Sequence, residues 1–301
     1  MAWSHRMPIP DTRYPIPDTR YPTSDIRYPI PDTRPPDTPI SFNQTIMNTD
    51  LVLLCTAAFA AGFVDSIVGG GGLIQTPAAL VLLPQYPVAT VIGTLKIPAF
   101  TGTFFATLQY ARQVKIHWKS FVWVALTAFL SAMTGSALLR TVKNDFMKPV
   151  ILVVLIGVAI YTFTKKDFGK HSEKAHAPSK AMFYALLIGL ILGFYDGFIG
   201  PGAGSFLILA FISLLGFNFL KASAHAKIIN LATNMASAIY FGIHGLMIYK
   251  IALPMAICNG LGGLIGAKLA LWKGNRFIRI FFLVIVVSMI IRFAYQLRYE
   301  V

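Results

Sequence analysis

Charged residues are scarce in this sequence, and their scarcity excludes most soluble folds. Only 13% of the 301 residues are charged, whereas about a quarter is usual in a soluble domain. Hydrophobic residues make up 55%, and apolar stretches long enough to cross a hydrocarbon core recur between Leu51 and Ala294. The short alternating segments of a spanning β-barrel do not occur. The composition therefore predicts an all-α integral membrane protein, a polytopic helical bundle.

Cysteine is rare, and acidic residues are outnumbered by basic ones. Cys55 and Cys258 both lie in apolar segments, so the sequence indicates neither a disulfide framework nor a metal site. The net charge is +14, but the basic residues fall between apolar segments, as in membrane loops, which argues against a nucleic-acid partner. The sequence contains no Walker motif, no His-Glu-x-x-His and no nucleophile beside a base. We therefore predict no enzyme and no cofactor.

A proline-rich heptad repeat precedes the apolar region. The motif Pro-Ile-Pro-Asp-Thr-Arg-Tyr starts at Pro8 and again at Pro15. Frequent proline prevents a helix and the tract has no apolar face, so residues 1–46 are predicted to form a disordered tail. Two other interpretations stay open. The repeat could be intergenic DNA read in frame, with translation starting at Met47, or it could be a proline-rich recognition tail.

The rest of the chain divides into two groups of apolar segments, a first repeat over 47–164 and a second over 181–301. The basic linker Lys165–Lys180 separates them. We expect about eight to ten hydrophobic segments. The predicted segments are about 50–68, 73–84, 88–111, 117–140 and 146–164, then 181–199, 204–216, 219–245, 250–272 and 276–297.

A constant shift in residue number relates the two groups without any gap. The shift that places Lys96 on Lys227 also places the run Gly62-Phe63-Val64-Asp65 on Gly193-Phe194-Tyr195-Asp196. Matching Asp and Lys residues inside membrane segments are rare by chance, so we predict two homologous halves. If each half contains an odd number of spans, the second half is inserted upside down, as in the inverted repeats of many secondary transporters.

Each half contains a glycine-rich break followed by a short apolar segment. The breaks are Gly69-Gly70-Gly71-Gly72 and Gly200-Pro201-Gly202-Ala203-Gly204. About 12 residues follow each break, or roughly 18 Å of helix, which cannot cross a membrane alone. Such broken helices are tolerated where they line a cavity, and their free N–H groups would bind an anion there. The alternative is that the glycines only permit close helix packing.

Asp65 and Asp196 are the only acidic residues inside apolar segments, and each lies four residues before the first glycine of its break. An acid at membrane depth usually faces a partner or a water-filled path. Two roles stay open from the sequence. The aspartates could cap the glycine loops, or they could take up protons and couple transport to a proton gradient.

Lys96 and Lys227 lie in matching segments that each carry a polar stripe at helical spacing. The stripes consist of Lys96, Thr103 and Thr107 in the first half, and of Lys227, Asn230, Asn234 and Ser237 in the second. Three roles stay open. The lysines could bind an anion directly, they could neutralise Asp196 and Asp65 across the interface between the halves, or they could extend their ammonium groups to the membrane interface.

These residues resemble the TauE/SafE sulfite-exporter family. The resemblance rests on the Asp-containing runs that end at Asp65 and Asp196, on the two glycine breaks and on the duplicated lysine, and it covers about residues 50–296. It implies a multi-pass carrier of the bacterial inner membrane that moves sulfite, sulfonates or related organic anions.

The sequence and the resemblance together predict a secondary transporter of a small anion, a sulfur-containing oxyanion or organosulfonate. One half would rock against the other to give alternating access across the plasma membrane. The predicted substrate site consists of Gly69, Gly70, Gly71, Gly72, Lys96, Gly200, Gly202, Gly204, Lys227, Asn230 and Asn234. An anion channel and a non-transporting membrane scaffold are the alternatives. Expected partners are the anion, the lipid bilayer, protons as a coupling ion and further copies of the chain.

Overall fold

The structure is a computed structural model that describes residues 44–116, 118–143, 150, 153 and 178–299, with side chains described for 49–116, 118, 121–143, 150, 153 and 179–274. The proline-rich repeat, almost all of the predicted segment 146–164 and the linker up to residue 177 lie outside the described residues.

Eight helices and no strand occur in this described part of the chain. They are α1 Gln44–Val68, α2 Gly72–Leu82, α3 Val88–Gln113, α4 Trp118–Thr141, α5 Pro178–Phe198, α6 Ala203–Leu215, α7 Phe219–Ile243 and α8 Tyr249–Tyr299. The predicted segments 250–272 and 276–297 both belong to α8, which is interrupted at Gly274, where φ is 73°. Helix α1 starts at Gln44, inside the predicted tail. The all-α prediction is confirmed.

Five of the helices are long and apolar enough to cross a membrane. The spans are Thr49–Val68, Val88–Gln113, Phe121–Thr141, Ser179–Phe198 and Tyr249–Gly274. Helices α2 and α6 have 11 and 13 residues and are too short to cross alone. Large apolar side chains cover the outer surface, as a hydrocarbon environment permits. These features confirm a polytopic helical membrane protein.

The helix starts repeat along the chain with the constant shift found in the sequence. The shift that places Lys96 on Lys227 also places the first residues of α2, α3 and α4 on those of α6, α7 and α8, respectively. Positions in α2, α3 and α4 thus have counterparts at the same places in α6, α7 and α8. The predicted duplication requires this correspondence, and the duplication itself stays a prediction.

Helices α3 and α7, which are counterparts, run in opposite directions. Near the start of α3, Gly93 packs on Phe241 at the end of α7. Near the other end of α3, the Thr107 hydroxyl donates a hydrogen bond of 3.2 Å to the carbonyl of Lys227 in the first half of α7. Opposite directions of counterpart helices are what an inverted repeat requires.

Parallel helix pairs join the two halves. Helix α1 of the first half packs on α8 of the second, and α4 of the first half packs on α5 of the second. Successive contacts advance in the same direction along both helices of each pair. They are Phe59–Gly262 and Phe63–Gly266 for α1 and α8, and Ala128–Gly193 and Ala132–Gly197 for α4 and α5. The halves are therefore intertwined rather than placed side by side.

The long helices form two groups of three parallel helices. Contacts between α3 and α8, and between α7 and α4, also advance in the same direction along both helices, so each of these pairs is parallel. The contacts are Thr94–Ile248 and Gly102–Gly263 for the first pair, and Phe121–His225 and Ser136–Ser237 for the second. We call α1, α3 and α8 the first helix group, and α4, α5 and α7 the second helix group.

Glycine permits the close contact between α4 and α5. A methyl group at Gly197 would overlap the Ala132 carbonyl oxygen. We expect Gly197→Ala to lower the free energy of unfolding by about 1 to 3 kcal/mol, because the helices must separate. Gly242→Ala is the matched control, since the nearest atom to its new Cβ would lie at 3.5 Å. Thermal unfolding in detergent measures both, and equal melting temperatures would contradict the prediction.

Candidate functional site

A polar cavity lies between the two helix groups, where α2 and α6 begin. It contains about 560 Å³ of atom-free space, including the part that is open to solvent. Eleven of the thirteen predicted residues line it, namely Asp65, Gly69, Gly71, Gly72, Lys96, Asp196, Gly200, Gly202, Gly204, Asn230 and Asn234. Gly70 and Lys227 are not among the residues that line it. The fold thus brings together residues from both halves that are distant in the sequence.

The two glycine breaks depend on backbone conformations that other residues rarely adopt. Gly69, Gly200 and Gly202 have φ angles of 77°, 90° and 79°, in the left-handed region where a Cβ is unfavourable. The breaks also contact each other. The Ser205 N–H donates to the Gly69 carbonyl at 3.0 Å, and the Ser205 hydroxyl donates to the Val68 carbonyl at 2.9 Å. Carbonyl groups freed by the break in one half are therefore satisfied by the other half.

The first turns of α2 and α6 present backbone donors to the cavity. Gly72 and Gly204 line it, and neither N–H group has an acceptor within the described part of the chain. The next N–H groups along the chain are bonded, Leu73 to Gly70 and Ser205 to Gly69. The positive ends of two helix dipoles therefore meet at the cavity.

Two buried ion pairs link the halves at the same place. Lys96 Nζ lies 3.0 Å from Asp196 Oδ1, and Lys227 Nζ lies 2.6 Å from Asp65 Oδ2. Each lysine also donates to the backbone carbonyl of its own aspartate partner. Lys96 and Lys227 are counterparts under the constant shift, and so are Asp65 and Asp196. Each ion pair therefore joins the lysine of one half to the aspartate of the other. Of the three roles left open for the lysines, the structure thus contains the neutralisation of the aspartates. Both lysines are buried rather than extended to the membrane interface. Direct anion binding stays a prediction.

The two ion pairs differ in how they face the cavity. Lys96 lines it, whereas the side chain of Lys227 is only 1% exposed and lies behind its partner. In that second pair Asp65 faces the cavity, with 17% of its side chain exposed. The cavity surface therefore carries one ammonium group and the two carboxylates of Asp65 and Asp196.

The carboxylates also contact groups other than lysine. Asp65 Oδ1 accepts a hydrogen bond of 3.3 Å from the Gly71 N–H, which is the capping contact considered for the glycine loop. Asp196 instead accepts a hydrogen bond from the Thr233 hydroxyl of α7. Asp65 therefore holds the first break in place, and Asp196 joins α5 to α3 and α7.

Three polar residues at the cavity were missed by the sequence reasoning, namely Gln75, Thr76 and Asn259. Asn259 Nδ2 donates to Gln75 Oε1 at 2.7 Å, and Gln75 Nε2 donates to the Leu95 carbonyl at 3.3 Å. Thr103, from the predicted stripe on α3, lines the cavity too. Gln75 and Asn259 could have been found from the sequence, because each is an amide side chain inside an otherwise apolar segment. Such a group needs a hydrogen-bond partner at membrane depth.

Among the residues that the structure describes, no group of three or more His, Cys, Asp or Glu side chains could hold a metal ion. The cavity presents amides, hydroxyls and one ammonium group as hydrogen-bond donors. It also presents the carboxylates of Asp65 and Asp196, each of which is paired with a lysine.

These features define a class of protein, a multi-pass helical membrane protein in which two broken helices meet at a buried polar cavity. The sequence matches the family described as sulfite exporter TauE/SafE over residues 54–293. The chain belongs to this family, and the resemblance seen in the sequence is confirmed.

Curated relatives agree with this assignment. A "Probable membrane transporter protein ORF9" of a Sinorhizobium species is 35% identical over 242 residues, 80% of this chain and 91% of the relative. The "Probable membrane transporter protein YfcA" of Escherichia coli K12 is 34% identical, with coverage of 79% and 88%. A "Probable membrane transporter protein" of Haemophilus influenzae is 34% identical, with coverage of 76% and 88%. No solved structure matches the chain. The protein is therefore a membrane transporter.

Proposed function

We propose that this protein is a secondary transporter that carries a small sulfur-containing anion, such as sulfite or an organosulfonate, across the plasma membrane by alternating access. The observation that carries the proposal is the meeting of two helix N-termini with Lys96 at one buried cavity. Preorganised N–H groups and a positive dipole end favour an anion without a large rearrangement. The family name supports sulfite and related anions as the substrate class.

The helix directions support alternating access. The cavity lies between two helix groups that run in opposite directions. Rocking one group against the other would close the opening of the cavity to one side of the membrane and create an opening to the other side. In this proposal the first helix group moves relative to the second helix group, and the two sequence halves do not move as separate units. The reason is that α1 packs tightly on α8, and α4 packs tightly on α5.

Protons are the coupling ion in this proposal, and Asp65 is the residue that takes one up. Its side chain is 17% exposed, against 4% for Asp196, so water in the cavity has better access to it. Protonation of Asp65 would weaken its attraction to Lys227 and change the charge that the cavity presents to the anion. Binding of the proton and of the anion would thereby be linked.

The test is anion flux in proteoliposomes. We expect saturable uptake of radiolabelled sulfite or sulfoacetate that depends on an imposed pH gradient. Lys96→Gln should lower this flux at least about thirtyfold, because truncating one partner of a buried charge pair costs about 2 kcal/mol or more. Lys250→Gln is the matched control, since Lys250 is exposed at the start of α8.

Three other outcomes would change the proposal. Folded protein that moves no anion would refute it. Flux that never saturates and is insensitive to the pH gradient would favour an anion channel. Saturable flux that is unaffected when the gradient is abolished would retain the carrier and remove the proton as its coupling ion.

A further inference from the structure

The cavity extends beyond the two helix starts along one side of α2, where its lining includes buried hydroxyl groups. We infer that the hydroxyls of Thr76 and Thr103, which we call the tail subsite, bind the far end of an organosulfonate. The tail subsite selects sulfonates that carry a hydroxyl at this end over alkyl sulfonates of the same size and charge. This inference rests on the proposed function, because it assumes that the sulfonate group binds at the starts of α2 and α6.

The sulfonate end has its own donors at the helix starts. Gly72 and Gly204 line the cavity, and their N–H groups have no acceptor among the described residues. The Asn230 amide nitrogen lies beside Gly204, and this side chain is only 5% exposed. These donors suit the oxygens of a sulfonate at the positive ends of the two helices. The rest of the ligand then extends along the cavity.

Thr76 lies one turn beyond the start of α2, on the same face of the helix as Gly72. Four residues separate them, which corresponds to roughly 6 Å along the helix. A ligand whose sulfonate contacts the Gly72 N–H can therefore present the far end of a two-carbon chain to the Thr76 hydroxyl. Thr103 of α3 lines the same cavity. The spacing of these groups thus suits a small organosulfonate.

The two hydroxyls of the tail subsite are buried without a protein partner. Thr76 and Thr103 are 4% and 2% exposed, and neither hydroxyl has a hydrogen-bond partner in the part of the chain that the structure describes. A threonine in a helix can donate to the carbonyl one turn earlier, as Thr94 and Thr101 of α3 do. A buried hydroxyl without a partner is costly, so these two indicate a polar group of a ligand.

Other polar groups nearby are already engaged. Asn259 Nδ2 donates to Gln75 Oε1, and Gln75 Nε2 donates to a backbone carbonyl of α3, so these amides hold α2 against α8 and α3. The repeated fold does not require a hydroxyl at Thr76 either, because its counterpart in α6 is the completely buried Leu207. Selection at this end of the cavity therefore rests on Thr76 and Thr103.

Isethionate and propane-1-sulfonate provide the test. They differ only in a terminal hydroxyl or methyl group, and both carry one negative charge, so the protonation of Asp65 does not enter the comparison at a fixed pH. Binding to the purified wild-type protein is measured by the rise in melting temperature with ligand concentration. We expect isethionate to bind at least about tenfold more tightly, because the methyl group leaves the buried hydroxyls unpaired. Equal affinities, tighter propane-1-sulfonate binding, or binding of neither compound would overturn the inference.

Removing the hydroxyls should remove this preference. The double variant Thr76→Val with Thr103→Val keeps the shape of both side chains, so the ratio of the two affinities should fall to about one. Thr76→Ser retains the hydroxyl and should retain the preference. Thr101→Val is the control, because Thr101 donates to the Ile97 carbonyl and does not line the cavity. If the double variant does not fold, Thr76→Val alone should lower the ratio at least about threefold. An unchanged ratio in a folded valine variant would contradict the assignment.

Flux separates this inference from the proposed function. Selective binding of isethionate without flux of any anion would retain the tail subsite and overturn the transport proposal. Saturable flux of both sulfonates with equal half-saturating concentrations would retain the transport proposal and overturn the tail subsite. Sulfite has no chain that reaches the tail subsite, so its flux should be the same in the wild type and in the double valine variant. Loss of sulfite flux in that folded variant would show that the hydroxyls do not act on the far end of the ligand.

Discussion

Replacing Lys227 by methionine should lower the free energy of unfolding by about 3 to 5 kcal/mol. Lys227 is completely buried, and its ammonium group holds both the carboxylate and the carbonyl oxygen of Asp65. Methionine fills a similar volume, but it leaves the Asp65 carboxylate without its counter-charge. Thermal or denaturant unfolding in detergent would show the loss.

The double variant Lys227→Met with Asp65→Asn isolates the charge effect. Asparagine keeps an oxygen that can accept from the Gly71 N–H and removes the unpaired charge, so most of the lost stability should return. Lys250→Met is the control at an exposed lysine. If the double variant is as unstable as Lys227→Met, packing of the lysine stem rather than the ion pair is responsible.

Replacing Gly69 by alanine should nearly abolish transport and should also destabilise the fold. A Cβ at this position would overlap the carbonyl carbon of Gly204 and lie 2.5 Å from the Ser205 nitrogen. The residue also has φ of 77°. The left-handed conformation costs about 1 to 2 kcal/mol and the overlap about 1 to 3 kcal/mol. Because the Gly204 N–H lies at the cavity, displacing the second break should reduce flux to below about a tenth of wild type.

Gly70 provides the matched control one residue along the chain. Its nearest neighbour to a new Cβ would be Ser205 Oγ at 3.6 Å, and it does not line the cavity. Gly70→Ala should therefore retain most of the flux and the melting temperature. Equal loss in both variants would show that the break needs flexibility throughout rather than close approach at one residue. Flux is measured per folded protein, so that reduced folding is not counted as reduced transport.

Local features of the fold could be predicted from the sequence because they depend on composition and periodicity. Runs of apolar residues give the helices, and glycine-rich runs between them interrupt these helices. The constant shift between the halves could be read from Asp and Lys alone, because these residues are rare in membrane segments. The start of α1 and the joining of two predicted segments into α8 were missed, because helix ends carry weak signals in a uniformly apolar sequence.

Long-range pairings could not be predicted, because they depend on helix directions and on which faces meet. The sequence left open whether Lys96 binds an anion or pairs with Asp196, and only the packing of α3 beside the second break brings these two together. The link between Gln75 and Asn259 spans 184 positions and has no counterpart in the other half, where Phe206 and Ala128 take their places. Internal symmetry therefore could not reveal it.

The intertwining of the halves has a consequence for how the gene arose. Each half leaves helix faces that are completed only by the other, α1 on α8 and α4 on α5. If the predicted duplication holds, an ancestral protein of half the length would have needed a second copy inserted in the opposite orientation to cover these faces. Fusion of two such copies would secure one of each orientation in every molecule. The two halves could then diverge, with the amide pair Gln75 and Asn259 on one side of the cavity and the apolar residues Phe206 and Ala128 at the matching positions.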